Sequence, residues 1–199
     1  MVLTVALSLV IVYIMRHQPA IGTHSDSILG WMMSLRFLPP VAVAIPLYVM
    51  ARSTGLYNHK MLLVLIYTAS SMPLAAWMLR GFTDEIPREL EEAAFVDGAG
   101  HVQVFWRVVL PLLMPGILAA AVLTLALTWG EFVFALTLTA TPEGQTFPIA
   151  VWGYVSEFQI SYQDMAAAGL LAASLPMLLF LVARRHVITA LTFGAVTEK

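Results

Sequence analysis

The chain has 199 residues, of which 60% are hydrophobic and 11% are charged, whereas soluble domains average about 45–50% apolar and about 25% charged residues. Ten basic and twelve acidic residues are too few to cover a globule with this much apolar area, which excludes the soluble enzyme classes. The net charge of −2 offers no basic field for nucleic acid, and the lack of cysteine excludes disulfides, thiolate zinc sites and cysteine catalysis.

Apolar segments of membrane-spanning length dominate the chain. A helix needs about 20 mostly apolar residues to cross a bilayer, and four stretches qualify: residues 30–50, 61–79, 112–138 and 165–183. Residues 2–15 are apolar but too short to cross unaided, and no basic residue or convincing cleavage site marks them as a signal peptide. We interpret them as the inner end of a span, and predict an all-α integral membrane protein with about five spans.

Prolines interrupt three of the predicted spans. Pro39, Pro40 and Pro46 fall in the first span, Pro73 in the second and Pro176 in the last. Each removes a backbone donor and favours a kink, and the freed carbonyls suit a bundle around a cavity. Ordinary bundle packing explains the prolines equally well, and both interpretations remain open.

Basic residues predict the orientation of the chain, because short loops rich in Lys and Arg stay in the cytoplasm. Only Arg52 and Lys60 fall in the connections of the opposite side. We therefore expect residues 16–29, residues 80–111 and the C-terminal tail to be cytoplasmic. The basic residues on that side are Arg16, Arg80, Arg88, Arg107, Arg184, Arg185 and Lys199.

The segment between the second and third spans is predicted to be structured. Asp84 and Pro87 suit a helix start, and residues 88–96 are dense in helix formers. Residues 97–100, Asp-Gly-Ala-Gly, indicate a helix stop and a turn, because glycine accepts positive φ. A second short helix follows, with one apolar stripe at i, i+3, i+4 and i+7: Val102, Phe105, Trp106 and Val109.

Residues 92–99, Glu-Ala-Ala-Phe-Val-Asp-Gly-Ala, and the closing Leu110-Pro111 resemble the EAA motif of permease subunits of binding-protein-dependent ABC importers. Residues 36–48 and 185–196 are similar to the carbohydrate-uptake branch, which includes maltose, trehalose and polyol permeases. The resemblance implies one permease domain over residues 1–199, built as a polytopic helical bundle. Because such permeases usually have six spans, we expect the first span and part of the second to be missing from this sequence.

In this family the EAA loop is a coupling helix that docks on a separate ATPase subunit, so the resemblance implies that residues 81–111 form a coupling loop. We expect the acidic residues of the loop to meet basic groups of that partner, and Leu90 and Val96 to add apolar contacts. The alternative is an amphipathic helix on the bilayer surface, which would normally be rich in Lys and Arg. The residues implied in docking are Glu91, Glu92, Ala93, Ala94, Phe95, Asp97, Gly98, Ala99, Leu110 and Pro111.

Nucleotide chemistry is predicted to belong to a partner. The sequence contains no phosphate loop of the form G-x-x-x-x-G-K-[ST], so we expect no enzyme activity here, and ATP and Mg²⁺ bound by the ATPase. The resemblance implies a second homologous permease subunit, two ATP-binding subunits and an extracytoplasmic solute-binding protein, besides membrane lipid. The five histidines show no metal-ligand spacing, so no metal site is expected.

Two groups of residues are candidates for a solute path. Glu131 lies near the outer end of its span, beside two aromatic residues, Trp129 and Phe132, which either stack on sugar rings or belong to the interfacial belt. Residues 129–132 are similar to the Trp-Asn-Glu-Phe of the family, but the glycine in this chain removes the amide. The second group places hydroxyls midway along its span, where hydrogen bonding between helices is the competing explanation: Tyr67, Ser70 and Ser71.

The leading prediction is a permease subunit of an ABC importer in the cytoplasmic (inner) membrane, translocating a sugar or polyol by alternating access that a separate ATPase drives. The alternative is a secondary transporter driven by an ion gradient, which usually exposes acids or bases at the midplane, where this chain offers few. An intramembrane enzyme would need paired carboxylates or an H-E-x-x-H motif within the bilayer, and the spans contain neither.

Overall fold

The computed structural model describes residues 1–18, 22, 24–154 and 161–192, with side chains described as far as residue 181 apart from residue 143. Every regular element in this part of the chain is helical, which confirms the all-α prediction. Two short 3₁₀ turns and one π turn, Phe105–Val109, accompany the α-helices. The helices are α1 (Val2–His17), α2 (Ser25–Ser34), α3 (Pro40–Ser53), α4 (Lys60–Asp84), α5 (Arg88–Val96), α6 (His101–Val104), α7 (Leu110–Trp129), α8 (Val133–Leu138), α9 (Phe147–Trp152) and α10 (Tyr162–Thr192).

Three helical runs of the described chain are long and apolar enough to cross a membrane. They are α4, the run His101–Trp129 that joins α6 to α7 through the π turn, and the Tyr162–Leu181 part of α10. Helix α1 is apolar but has 16 residues, as its short sequence predicts. Residues 155–160, before the last predicted span, and residues 193–199 of the predicted C-terminal tail lie outside the described residues.

The predicted span over residues 30–50 is not one helix but two, which are bent by 89° relative to each other. Between them, Leu38 and Pro39 have extended backbone, with ψ of 124° and 128°, because a following proline disfavours the helical conformation. The interruption predicted at Pro39 and Pro40 is therefore confirmed. By contrast, α3, α4 and α10 continue past the prolines they contain: Pro46, Pro73 and Pro176.

The predicted span over residues 112–138 is also divided. Helix α7 ends at Trp129, and α8 begins at Val133 after a break of three residues. The break contains Glu131, whose carboxylate accepts hydrogen bonds from backbone N–H groups of α8. A side chain that caps a new helix start in this way replaces the backbone bonds that a continuous helix would have made.

The first buried cluster packs α1 and α4 against the run from α6 to α7, and its least exposed side chains include Val12, Leu79, Val104 and Val109. Val104 and Val109 share one buried face because the π turn between them repeats at i+5. This spacing corrects the predicted stripe, since Val102 and Trp106 are exposed. A second cluster packs α3 and α4 against α8 and α9.

Candidate functional site

The turn after α5 has the hydrogen bonds of a Schellman motif. Gly98 has φ of +84°, a left-handed conformation that glycine adopts without a Cβ penalty. Its N–H donates to the Phe95 carbonyl at 3.0 Å, and the Ala99 N–H donates to the Ala94 carbonyl at 3.0 Å. A Cβ at position 98 would have no heavy atom within 4 Å, so the backbone conformation and not the space requires glycine. The turn predicted at residues 97–100 is confirmed.

We call residues 88–109, which comprise α5, this turn, α6 and the π turn, the hairpin. Its inner face packs on the first buried cluster through Ala94, Phe95, Ala99 and Phe105. Its outer face carries apolar, acidic and basic side chains together, and Val96 is 87% exposed. The exposed side chains of the hairpin are Arg88, Glu89, Leu90, Glu92, Ala93, Val96, Asp97, His101, Val102, Gln103, Trp106 and Arg107.

The residues implied in docking are divided between the two faces. Glu92, Ala93, Asp97, Gly98 and Pro111 are exposed and remain candidates for contact with a partner. The other implied residues lie partly within the bundle, where they fix how the hairpin sits on the spans: Ala94, Phe95, Ala99 and Leu110.

Glu91 is the exception, because its side chain points into the bundle. The residue is 3% exposed, with Oε1 2.6 Å from Nε of Arg16 and Oε2 2.8 Å from Nε2 of His17. A carboxylate engaged in this way cannot meet a basic group of a partner, so the expectation for Glu91 is corrected to a contact within the chain. Sequence reasoning did not identify Arg16 and His17 as the partners of Glu91. The available signal was a basic pair at the end of an apolar helix.

A cavity of about 490 Å³ lies beside the bend between α2 and α3, against α4 and the break between α7 and α8. Most of its lining is apolar, as in small-molecule sites in general. The structure brings four predicted solute-path residues together there, although they come from two different spans. These residues are Tyr67, Ser70, Ser71 and Glu131.

Glu131 is the centre of the polar contacts in this cavity. The Tyr67 hydroxyl donates to Oε2 at 2.9 Å. The Phe134 N–H donates to Oε1 at 2.9 Å, and the Ala135 N–H donates to Oε2 at 3.3 Å. A carboxylate offers about four acceptor positions, so these three bonds leave about one for a hydroxyl of a bound solute.

Trp129 and Phe132 do not line this cavity, and their role in a solute path stays a prediction. The Trp129 indole N–H donates to the Ala172 carbonyl at 2.9 Å, and its ring stacks on that of Phe147 at 6.4 Å. The Phe132 ring meets that of Trp152 edge-on at 6.1 Å. Both aromatic residues therefore hold neighbouring helices together.

Comparison with known proteins identifies the family. The family model described as "Binding-protein-dependent transport system inner membrane component" matches residues 22–192. An ABC transporter permease protein, ORF1, of Streptomyces antibioticus is 37% identical over 84% of this chain and 73% of its own length. The trehalose transport system permease protein SugB of Mycobacterium tuberculosis is 34% identical over 85% of this chain, and the melibiose/raffinose/stachyose import permease protein MelC of Bacillus subtilis is 32% identical over 86%. The chain spans 62% and 63% of the lengths of the latter two.

A solved structure shares the fold. A chain of a bacterial ABC transporter involved in the import of the acidic polysaccharide alginate superposes with a TM-score of 0.66 and 18% sequence identity. The superposition covers 96% of this chain and 72% of that chain. At this identity the likeness shows the helical architecture, including the polytopic bundle expected from the sequence.

Proposed function

The chain belongs to the family of binding-protein-dependent transport system inner membrane components, and from that premise we propose that it is the permease subunit of an ABC importer for a sugar or polyol. In this proposal the chain itself is not an enzyme, and two separate ATP-binding subunits hold ATP and Mg²⁺ and hydrolyse the nucleotide. A second homologous permease and an extracytoplasmic solute-binding protein complete the complex. The relatives named for trehalose and for melibiose, raffinose and stachyose support the choice of sugar.

The observation that carries the proposal is the outer face of the hairpin. Apolar side chains and the carboxylates of Glu92 and Asp97 are exposed beside a hydrogen-bonded turn, which suits a groove with basic groups on an ATP-binding subunit. Closure of the ATP-binding subunits would move the hairpin, and α4 and α7 continue from its two ends into the membrane. The nucleotide state would thereby bias which side of the bundle is open.

The cavity is the proposed solute path of this subunit. Hydroxyl groups and two charged groups stand in a mainly apolar lining, an arrangement that suits a polyhydroxy solute; these polar lining residues are Arg36, Tyr67, Ser70, Ser71, Thr128 and Glu131. The basic residues of the connections support a cytoplasmic location for the hairpin and the C-terminus of this multi-pass inner-membrane protein.

The absence of cysteine from the sequence permits a direct test by crosslinking. The change Val96→Cys places a thiol on the hairpin at a residue that is 87% exposed, and Tyr162→Cys, at a residue 73% exposed on the opposite predicted side, is the matched control. Each variant is assembled with the full complex in proteoliposomes and treated with a bifunctional thiol-and-amine reagent. We expect the Val96→Cys variant to crosslink to the ATP-binding subunit and the Tyr162→Cys variant not to do so.

Transport by the same proteoliposomes tests the energy source. Uptake of labelled trehalose and of labelled melibiose is measured with ATP inside the vesicles, with and without an ionophore that dissipates ion gradients. ATP-dependent uptake of either sugar that resists the ionophore supports the proposal. Uptake that needs a gradient but no ATP would instead identify a secondary transporter.

A further inference from the structure

The side chain of Arg16 joins three elements at one end of the bundle. It lies in the last turn of α1, and its Nε is 2.6 Å from Oε1 of Glu91 in α5. One terminal nitrogen donates to the Ile86 carbonyl at 2.7 Å, and the other donates to the Thr83 carbonyl in the last turn of α4. The guanidinium group thus donates hydrogen bonds to α4 and to the link that follows it, and it forms an ion pair with the hairpin.

Further contacts connect the last turn of α1 to both helices of the hairpin. His17 Nε2 is 2.8 Å from Glu91 Oε2, and the His17 ring meets the rings of Phe95 and His101 edge-on. The Tyr13 hydroxyl donates to the His101 carbonyl at 2.9 Å. Helix α1 therefore contacts the hairpin on each side of the Gly98 turn.

The covalent structure does not supply this connection. The hairpin is continuous with α4 and α7, whereas α1 is separated from Glu91 by more than 70 residues of sequence. Apolar contact alone would allow α1 to slide over the hairpin, because the hydrophobic effect is not directional. The hydrogen bonds from Arg16 to the Thr83 and Ile86 carbonyls and its ion pair with Glu91 fix one register. The Arg16 and Glu91 side chains are only 6% and 4% exposed, and they face a cavity of about 490 Å³.

We propose that Arg16 is a positioning residue that makes α1 move as one body with the hairpin when a partner displaces the hairpin. This inference rests on the proposed function. The hairpin is covalently continuous with α4 and α7, and Arg16 adds α1 as a third helix that moves with it. Glu91 is the counterpart of Arg16 in this role and has no part in docking.

The first test removes both charges together, because a single change would leave one buried charge unpaired and threaten folding. The double variant Arg16→Gln/Glu91→Gln is compared with Arg80→Gln/Asp84→Asn, which removes the exposed ion pair at 2.7 Å within α4 alone. Each variant is assembled into the full complex, and solute imported per ATP hydrolysed is measured. We expect normal recovery of ATP-binding subunits with both variants, and a fall of about fivefold or more in solute per ATP for the first variant only, as for a typical coupling between sites. An unchanged ratio in the Arg16→Gln/Glu91→Gln complex would overturn the proposal.

The second test replaces the ion pair by a covalent tie. The variant Arg16→Cys/Glu91→Cys is joined by a short bifunctional reagent that a reductant cleaves, in a chain with no other cysteine. If α1 and the hairpin move together, the tied complex should recover solute per ATP to within about twofold of the unmodified chain, and reduction should lower it again. A tied complex that imports no better than its reduced form would overturn the proposal, since the contact would then have to open during transport. Failure of the unmodified chain to bind ATP-binding subunits would instead count against the proposed function.

Discussion

Gly98 offers a substitution series whose effect comes from backbone conformation alone. Its φ is +84°, and an added Cβ would meet no heavy atom within 4 Å. In the left-handed region a Cβ costs about 1–2 kcal/mol, which corresponds to about a 5–30-fold change in the ratio of the native turn to other conformations. Asparagine tolerates this region better than alanine, and a β-branched residue tolerates it least. The affinity of the permease for ATP-binding subunits should therefore fall in the order Gly98→Asn, Gly98→Ala, Gly98→Val.

The assay is titration of purified permease with its ATP-binding subunits in detergent. If only the native turn docks, the apparent Kd for Gly98→Ala should rise by up to about 5–30-fold. Gly100→Ser is the matched control. Gly100 has extended backbone, and an added Cβ would meet no heavy atom within 4 Å. It also precedes α6 as the N-cap residue, a position that serine favours. Equal losses at the two positions, or an alanine variant at position 98 that binds more tightly than the asparagine variant, would refute the reasoning.

Substitutions at four further positions test other contacts. Gly116→Ala should lower stability by about 1–3 kcal/mol, seen as a lower Tm in detergent, because the new Cβ would lie 2.5 Å from the Phe82 ring. Glu131→Gln should destabilise less than Glu131→Ala in the same assay, since it keeps an acceptor for the N–H groups of α8. Tyr67→Phe removes the hydroxyl donor to that carboxylate and should cost about 1.5–3 kcal/mol, and an unchanged Tm would contradict the bond. Asn58→Asp should resist proteolysis of residues 139–146 better than Asn58→Ala, because its carboxylate still accepts the two N–H groups that hold this loop.

Local chemistry predicted the hairpin well. Helix formers over residues 88–96 and the glycines after Asp97 produced the helix and the turn that the sequence indicates, because each depends on residues within a few positions. The direction in which Glu91 points could not be predicted in the same way. A helix of nine residues has no fixed orientation until it packs, and the partners of this carboxylate come from α1.

The same distinction holds in the membrane. The paired prolines after Leu38 marked the site of the bend, but the 89° angle depends on how α2 and α3 pack. Trp129 was interpreted as a solute or interface residue, whereas its indole N–H found an acceptor in α10, 43 positions later. The sequence placed Tyr67 and Glu131 in two separate spans as polar residues, and it gave no sign that the Tyr67 hydroxyl donates to the Glu131 carboxylate.

The π turn has a mechanical consequence. The helical run His101–Trp129 continues through the π turn and counts as one rod of 29 residues. At 1.5 Å per residue this rod is about 43 Å long. On the proposed docking of the hairpin, such a rod would act as a lever arm from the hairpin to the end at Trp129. A tilt of about 10° imposed at the hairpin would sweep the end at Trp129 through about 7 Å, and would carry the mouth of the cavity beside Glu131 with it.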